Sequence, residues 1–183
     1  MKCPYSEKNE SSVLYSSKYA SKELDVRCTS ETHDKPTLYK CDKCKLIFSE
    51  HINSDFSKSY TTVEDQKYIQ QIPFKKKYFE LLLNKIKPYL NIKYNVLEIG
   101  SYYGAFGSVI RPHVKNYTGL ELSRHAANHA RKNYNLNIVN EPINKFFERA
   151  PLFDVIIMND VIEHLDDPFK VLELIEKHLK PKG

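Results

Sequence analysis

Asn95-Val-Leu-Glu-Ile-Gly-Ser-Tyr-Tyr-Gly-Ala-Phe-Gly107 joins an apolar run to a glycine-rich turn and then to a segment of helical character. Val96 to Ile99 has the composition of a buried strand, and the glycines let the chain turn sharply and a ligand approach the backbone. A strand, a glycine turn and a helix N-terminus together form a site for a nucleoside cofactor. Glu98 lies inside the apolar run, where a carboxylate is costly to bury unless a hydrogen bond satisfies it.

The glycine spacing distinguishes between two kinds of cofactor. A dinucleotide site has the pattern G-x-G-x-x-G after its strand, whereas this chain has Gly100, Gly104 and Gly107, with Tyr102 at the middle position. This difference argues against NAD. The segment resembles motif I of the class I S-adenosylmethionine-dependent methyltransferases, acidic-x-Gly-x-Gly-x-Gly, with Glu98, Gly100 and Gly104 matching and Tyr102 departing from it.

A second strand is predicted from Val114 to Leu122. Glu121 stands 23 residues after Glu98, near the spacing at which an acidic residue reaches the ribose of a cofactor. A carboxylate there can accept hydrogen bonds from both ribose hydroxyls. Taken alone, Glu121 is more simply a surface residue at a strand end, and the order of the motifs favours the ribose. Ser123 is predicted to cap the following helix.

Two further segments extend the resemblance. The first is an apolar strand followed by a carboxylate-rich turn, with the sequence Phe153-Asp-Val-Ile-Ile-Met-Asn-Asp-Val-Ile-Glu-His-Leu-Asp-Asp-Pro168. It is similar to motif IV of the same superfamily. Leu179-Lys-Pro-Lys-Gly183 resembles the Leu-Lys-Pro-Gly-Gly turn that precedes strand five. The resemblance covers residues 95–183, and it implies S-adenosylmethionine as the cofactor.

The alternation of strand and helix predicts an α/β fold with a Rossmann-like parallel sheet, which is a partial class I methyltransferase fold. Strands are expected at 95–99, 116–122, 136–140 and 153–158, and helices near 104–112, 124–134, 143–149 and 167–179. The family's sheet has seven strands and this sequence supplies four, so we expect a domain truncated before strand five. A partner chain or a second copy could then cover the open edge of strand four.

The resemblance also assigns roles to single residues. The glycine loop would line the methionine part of the cofactor, Glu121 would bind the ribose, and Leu122 would flank the adenine. His164 is the candidate catalytic base, because imidazole titrates near neutrality, and the alternative is a histidine that only caps its turn. The predicted cofactor site consists of Glu98, Gly100, Ser101, Tyr102, Gly104, Glu121, Leu122, Ile143, Asn159 and Asp160.

Residues 1–60 hold all four cysteines and are interpreted as a small zinc-ribbon-like module. Cys41-Asp-Lys-Cys44 has the spacing at which two thiolates bind one tetrahedral zinc ion from a tight turn. Residues 39–48 are similar to the second half of the N-terminal knuckle pair of some small-molecule methyltransferases. Ser6 replaces a cysteine of the first pair, so Cys28 or His33 could complete the site, and reduced free thiols are the alternative. The predicted metal ligands are Cys3, Cys28, Cys41 and Cys44.

Residues 61–94 are expected to form a helical connector that packs on the sheet before residues 95–183 begin. Pro73 is placed in its first turn. The three lysines at 75–77 could meet a phosphate or a nucleic acid, although a solvated helix face is the simpler interpretation. A single apolar face is predicted from Phe74, Tyr78, Phe79, Leu82, Leu83, Ile86 and Leu90.

The composition narrows the functional classes. No apolar run approaches the roughly 20 residues of a membrane span, and the N-terminus has no signal region, so we expect a cytoplasmic protein with no membrane partner. The predicted activity is methyl transfer to a small-molecule acceptor, such as a sugar, a glycan precursor or a quinone- or lipid-like molecule. RNA methylation is one alternative, against which stand the modest net charge of +5 and the lack of an Asn-Pro-Pro-Tyr motif. A truncated domain that binds cofactor without turnover is the other.

Overall fold

The computed structural model describes residues 1–16, 37–49, 60–181 and 183. The chain divides into two compact units. Residues 1–16 and 37–49 belong to the first unit, and residues 60–181 with 183 belong to the second. Cys28 and His33, two of the proposed metal ligands, lie outside the described residues.

The first unit contains a four-stranded antiparallel sheet in the order β1-β2-β3-β4. Tyr39 pairs with Phe48 across its last two strands, and their rings stack with centroids 5.9 Å apart. A tight turn joins these two strands, with the Cys41 N–H donating to the Leu46 carbonyl at 2.9 Å. The strands are β1 (Lys2–Cys3), β2 (Ser6–Tyr15), β3 (Leu38–Cys41) and β4 (Ile47–Ser49).

The second unit contains a four-stranded sheet in the order β7-β6-β5-β8, and every pairing in it is parallel. The expected α/β fold with a Rossmann-like parallel sheet is therefore confirmed. The first strand along the chain lies in the interior of the sheet, and the fourth lies at its edge. The strands are β5 (Asn95–Ile99), β6 (Asn116–Leu120), β7 (Ile138–Val139) and β8 (Val155–Met158).

Helices connect and precede these strands. They are α1 (Gln66–Ile86), α2 (Ala105–Ile110), α3 (Arg124–Tyr134), α4 (Ile143–Phe147) and α5 (Pro168–His178). Short 3₁₀ turns occupy Lys87–Tyr89, Arg111–His113 and Ile162–His164. None of the helices within the described ranges combines the length and the apolarity needed to cross a bilayer. The cytoplasmic compartment stays a prediction.

Alternate side chains of β5 face opposite layers, as the period of a strand requires. Val96 belongs to an apolar cluster with residues of α1, α2 and α3. Leu97 and Ile99 belong to a second cluster with residues of α4 and α5. Helices thus cover both faces of the sheet, and residues on both faces of β5 are buried, as expected for a parallel sheet between two layers of helices.

The start and the orientation of α1 differ from the prediction. The helix begins at Gln66, because the Asp65 carboxylate accepts the Tyr68 N–H at 3.0 Å and caps it. Pro73 therefore lies inside the helix and not in its first turn. Phe74 and Tyr78 were expected in the apolar face toward the sheet, but they are 76% and 57% exposed. That part of the prediction is wrong for these two residues, whereas Phe79, Leu82, Leu83 and Ile86 pack against the core as expected.

Residues after α5 return along the outer edge of β8. Phe153 and Leu179 form a parallel bridge, and the Lys180 N–H donates to the Phe153 carbonyl at 2.9 Å. The Asp154 carboxylate accepts both the Asn95 N–H, at 2.8 Å, and the Lys180 ammonium, at 2.7 Å. The sequence at 179–181 thus makes the first pairing of a strand beside β8.

Candidate cofactor site

The loop between β5 and α2 lies at the carboxyl edge of the parallel sheet, where the loops of neighbouring strands meet. The N–H groups of Gly100 and Ser101 both donate to the Leu120 carbonyl, at 2.8 and 3.1 Å. The loop is therefore bound to the end of β6. This edge is where open α/β sheets bind their ligands.

Three residues of this loop adopt left-handed backbone conformations, with φ of 75° at Gly100, 45° at Tyr102 and 79° at Gly104. A Cβ at Gly104 would lie 2.6 Å from the Cβ of Ala130, so glycine is what allows α3 to pack against the loop. A Cβ at Gly100 would overlap the side chain of Val161, which comes from the loop after β8. The glycines thus bring the ends of β5, β6 and β8 together.

Glu121 is only 5% exposed, and its carboxylate faces the glycine loop. One oxygen accepts the Tyr102 N–H at 2.7 Å, and the other accepts the Ser123 N–H at 2.7 Å. Burial raises the pKa of Glu121 from 4.5 to about 7, although the backbone N–H groups oppose this shift. Each carboxylate oxygen has a second lone pair, so the group can still accept hydrogen bonds from two hydroxyls of a ligand.

Glu98 is 3% exposed and interacts with a partner that the sequence did not reveal. The Tyr117 hydroxyl donates to its carboxylate. Burial raises the pKa of Glu98 to about 7, while the Tyr117 hydrogen bond lowers it and the charge of Glu121 raises it further. The cost of this buried carboxylate is thus offset by one hydrogen bond from the neighbouring strand.

A groove of about 350 Å³ opens beside the ends of β6 and β7. The Asn140 side-chain amide donates to the carbonyls of Glu121 and Leu122, at 2.7 and 2.8 Å, and so fixes the backbone at its rim. Ile143 begins α4 and packs on the cluster of the opposite layer. The groove is lined by Thr61, Thr62, Leu122, Arg124, His125, Asn140, Glu141 and Pro142.

We call residues 60–65 the strap, because they cross the carboxyl edge of the sheet before α1 begins. The Ser123 hydroxyl donates to the Val63 carbonyl at 2.7 Å. The Asp65 N–H donates to the Tyr103 hydroxyl at 2.7 Å, and the Tyr102 hydroxyl donates to the Asp65 carboxylate at 3.2 Å. These bonds fasten the strap to the loops after both β5 and β6.

The loop after β8 forms the remaining side of the site. The Asn159 side-chain amide donates to the Asp160 carboxylate at 2.9 Å, and Asp160 has a left-handed φ of 54°. His164 is exposed in the turn Ile162–His164, and its ring meets the ring of Tyr60 edge-on, with centroids 5.9 Å apart. The predicted base thus lies beside the first residue of the strap.

Polar groups at the carboxyl edge fit a nucleoside cofactor. The buried hydroxyl of Ser101 has no hydrogen-bond partner among the described residues, and the Glu121 carboxylate keeps lone pairs to offer. The sequence-predicted residues Gly100, Ser101, Tyr102, Gly104 and Glu121 lie together in this edge. Tyr117, Asn140 and the strap were missed, although an N-cap signal at Asp65 was present in the sequence.

Three cysteines of the first unit come together as expected. The ligand atoms of Cys3, Cys41 and Cys44 all lie within 4.8 Å of one another, and the sulfurs of Cys3 and Cys44 are 3.6 Å apart. Sulfurs around a tetrahedral zinc ion, with bonds of about 2.3 Å, lie about 3.8 Å apart. The Cys44 N–H donates to the Cys41 sulfur at 3.4 Å, and this bond lowers the pKa of Cys41 from 9.0 to about 7. The cluster therefore fits a thiolate-bound metal.

Comparisons with known proteins agree with this architecture. One similar structure is the N-methyltransferase NodS from Bradyrhizobium japonicum WM9 in complex with S-adenosyl-L-homocysteine, with a TM-score of 0.56 and 23% identity over 68% of this chain and 66% of that one. A second is an S-adenosylmethionine-dependent methyltransferase from Clostridium acetobutylicum ATCC 824, with a TM-score of 0.51 and 20% identity over 59% of this chain and 47% of that one. This chain thus spans about half to two thirds of their length. No curated protein sequence matches the chain.

A family profile extends the comparison to more than half of the sequence. Residues 67–183 match the profile described as a methyltransferase domain. This range contains the glycine loop, Glu121 and the turn with His164, and it begins one residue after the start of α1. The chain therefore belongs to the methyltransferase domain family.

Proposed function

We propose that this protein uses S-adenosylmethionine to methylate a small-molecule acceptor, such as a sugar, a glycan precursor or a quinone- or lipid-like molecule. One observation carries the proposal. The Glu121 carboxylate and the Gly100–Gly104 loop are joined through the Tyr102 N–H at 2.7 Å, at the carboxyl edge of a parallel sheet. A ribose acceptor and a glycine cradle are thus present side by side.

In this proposal, different residues contact the ribose, the adenine and the methionine part of the cofactor. Glu121 accepts the ribose hydroxyls, and the adenine enters the groove beside Leu122 and below Thr61 and Thr62. Gly100, with Ser101, Tyr102 and Gly104, lines the methionine part. Asn159 and Asp160 close the site from the loop after β8, whereas Glu98 and Ile143 support it from within the two layers. The bound cofactor would supply a methyl group on a positively charged sulfur.

The chain's own contribution is to hold the acceptor and, where the acceptor is a hydroxyl or an amine, to remove its proton. His164 is the proposed base, because it is exposed at the carboxyl edge and carries an imidazole. Its edge-on contact with Tyr60 would orient the ring toward the acceptor. The exposed turn that holds it leaves room for a small acceptor.

We further propose that Cys3, Cys41 and Cys44 bind zinc together with Cys28. Two of the three thiols that meet are buried, and their separation suits a tetrahedral ion. The metal would be structural, because all four ligand positions are then taken by protein. It would hold the turn between β3 and β4 in place.

The cofactor proposal is tested by calorimetric titration of the full chain with S-adenosylhomocysteine. Glu121→Ala should weaken binding by at least about 100-fold, since two hydrogen bonds to a charged group are lost. Glu121→Gln is the matched control for folding, because its carbonyl oxygen can still accept one N–H, and it should weaken binding less. A folded wild-type chain that does not bind the ligand would overturn the proposal.

The pKa of Glu121 provides a second test of the same site. Only the ionised carboxylate can accept hydrogen bonds from both ribose hydroxyls through both oxygens, and its pKa is raised to about 7. Affinity for S-adenosylhomocysteine should therefore be constant above pH 8 and fall as the pH drops below 7. The Glu121→Gln variant should lose this dependence. A wild-type affinity that does not change between pH 6 and 8 would exclude this role for Glu121.

Turnover is tested with labelled S-adenosylmethionine and a panel containing a sugar, a lipid-linked glycan, a quinone, an amine and RNA. A product with a small molecule supports the proposal, whereas a salt-sensitive product with RNA supports the alternative. Binding without any product indicates a domain without turnover. His164→Gln should lower kcat at least 100-fold and abolish the acidic limb of its pH profile, and a purely structural role would leave the profile unchanged.

A further inference from the structure

Helix α1 has two apolar faces, of which only one packs against the sheet. On the side away from the sheet, three large side chains are exposed: Phe74 by 76%, Tyr78 by 57% and Leu81 by 64%. They follow the i, i+4, i+7 spacing that places side chains in one line along a helix. We call these three residues the exposed stripe. The buried face consists of Tyr68, Ile72, Phe79 and Leu83.

Lysines surround the exposed stripe, and acidic residues are scarce. Lys77 and Lys85 are exposed; Lys77 stands three residues after Phe74 and borders one side of the stripe, whereas Lys85 stands four residues after Leu81 and lies at the end of its line. Lys75 and Lys76 are turned away, with their ammonium groups 4.7 and 4.4 Å from the centres of tyrosine rings in the same unit. Glu80 is the one acidic residue in α1. The stripe is therefore apolar at its centre and positive at its edges.

We propose that the exposed stripe of α1 docks on the surface of an anionic lipid bilayer. An interfacial helix places phenylalanine and leucine at the boundary of headgroups and acyl chains, while lysines reach lipid phosphates and tyrosine sits at headgroup level. Each lysine near such a surface strengthens attraction to the anionic headgroups. Such a helix would touch the bilayer only at its surface, which differs from the expectation that the protein has no membrane partner. This docking does not depend on the proposed methyl transfer.

A second copy of the chain fits this surface less well. Two stripes packed against each other would bring the lysines at 77 and 85 of both copies to one interface, where like charges oppose association. An anionic bilayer instead offers negative charge over the whole length of the helix. Charge complementarity thus favours lipid over self-association.

Flotation of the full chain with vesicles tests the proposal. Vesicles containing about one third phosphatidylglycerol should bind the protein, and pure phosphatidylcholine vesicles should bind it at least tenfold less. The double variant Phe74→Ser, Leu81→Ser and the double variant Lys77→Glu, Lys85→Glu should each reduce binding to anionic vesicles at least tenfold. High salt should weaken wild-type binding because charges at a surface are screened.

Matched control variants distinguish binding through the exposed stripe from non-specific binding to vesicles. Leu152→Ser removes an apolar side chain that is 45% exposed outside α1, and Lys177→Glu reverses an exposed charge in α5. Both controls should leave binding unchanged, and melting temperatures should confirm that all variants fold. The proposal is overturned if the protein does not bind anionic vesicles, or if the control variants reduce binding as much as the stripe variants do. It is also overturned if sedimentation shows a dimer that the double variant Phe74→Ser, Leu81→Ser dissociates.

Discussion

The two sheets of this protein are held together by different means. In the antiparallel sheet, Cys3 and Cys41 are the only buried side chains among the residues whose burial the structure describes, and Val13, Leu14 and Ile47 are all more than half exposed. The parallel sheet lies between two apolar layers. Burial in the described part of the small sheet is thus confined to two cysteines, whereas the large sheet has an apolar core on each face.

This contrast determines where polar groups can serve a ligand. The apolar layers of the large sheet are extensive enough to tolerate two buried carboxyl groups, Glu98 and Glu121, whose pKa values burial raises to about 7. The small sheet has no comparable core within its described residues, so its buried polar atoms must themselves be part of what stabilises it.

Removal of metal should produce the largest difference between the two sheets. A chelator should unfold the antiparallel sheet, because a structural zinc site contributes on the order of 10 kcal/mol to a small fold. The parallel sheet should keep its amide protection from hydrogen exchange, as each unit has its own buried groups. Cys41→Ser should act as the chelator does, and zinc content measured by mass spectrometry should fall to zero. Retained protection of the antiparallel sheet after metal removal would break the comparison.

Truncation of one leucine in each sheet should give the next largest effect. Leu97→Ala should cost about 3 kcal/mol in the free energy of unfolding, because Leu97 in β5 is fully buried. Leu14→Ala in β2 makes the same chemical change at a side chain that is 51% exposed, and it should cost less than about 0.5 kcal/mol. Urea denaturation measures both values. Equal costs would mean that the small sheet also has an apolar core.

The buried carboxyl group of Glu98 should make stability depend on pH. In the unfolded chain its pKa is near 4.5, and in the folded chain it is about 7, so the folded state holds the proton more tightly. Stability should therefore fall as the pH rises from about 4.5 to 7. Glu98→Gln should stabilise the protein by up to about 3 kcal/mol above pH 7 and by nothing near pH 4.

Tyr117→Phe is the opposite test of the same pair. It removes the hydroxyl that donates to the Glu98 carboxylate. The variant should be destabilised by about 1 to 3 kcal/mol at pH 8, with a smaller loss at pH 4 where the carboxyl group is protonated. A loss independent of pH would show that the hydrogen bond does not act on the charge.

An ion pair at the sheet edge should give the smallest effect. The Lys180 ammonium lies 2.7 Å from the Asp154 carboxylate. Burial alone would raise the pKa of Asp154, but the hydrogen bonds from Lys180 and the Asn95 N–H outweigh burial and lower that pKa. Lys180→Ala should cost about 0.5 to 1 kcal/mol at pH 7, because the pair is partly exposed. The difference should decrease as the pH falls below 3.8 and vanish below the lowered pKa at which the folded Asp154 takes up a proton. Lys177→Ala, at an exposed position in α5, should have no effect at either pH.

The elements with strong local signals were predicted accurately. The bounds of β5 at Asn95–Ile99 and of α3 at Arg124–Tyr134 agree with the sequence pattern, and Ser123 caps α3 through the Ala126 N–H at 3.1 Å. An apolar run before a glycine and a serine before a helical pattern are features that a few adjacent residues determine. Cys41 and Cys44 lie together because their spacing belongs to a single turn, whereas Cys3 was grouped with them only through the resemblance to a knuckle pair.

The prediction failed where distant residues decide the outcome. Phe74 and Tyr78 match a helical apolar face as well as Phe79 does, and only the position of the sheet determines which side is buried. The partner of Glu98 depends on the register of β6 beside β5, which sets Tyr117 opposite Val96. The bonds of the strap join Asp65 to Tyr103, which is 38 positions away in the chain, and Val63 to Ser123, which is 60 positions away. No local sequence pattern indicates such bonds.

Asp65 takes part in two structures at once. Its carboxylate caps α1 through the Tyr68 N–H and also accepts the hydroxyl of Tyr102 in the glycine loop. Displacement of Asp65 from the glycine loop would therefore also remove the cap from the first turn of α1. A cofactor beneath the strap would leave at a rate set by this helix end. The rate of hydrogen exchange at the Tyr68 amide would then report on the rate of cofactor release.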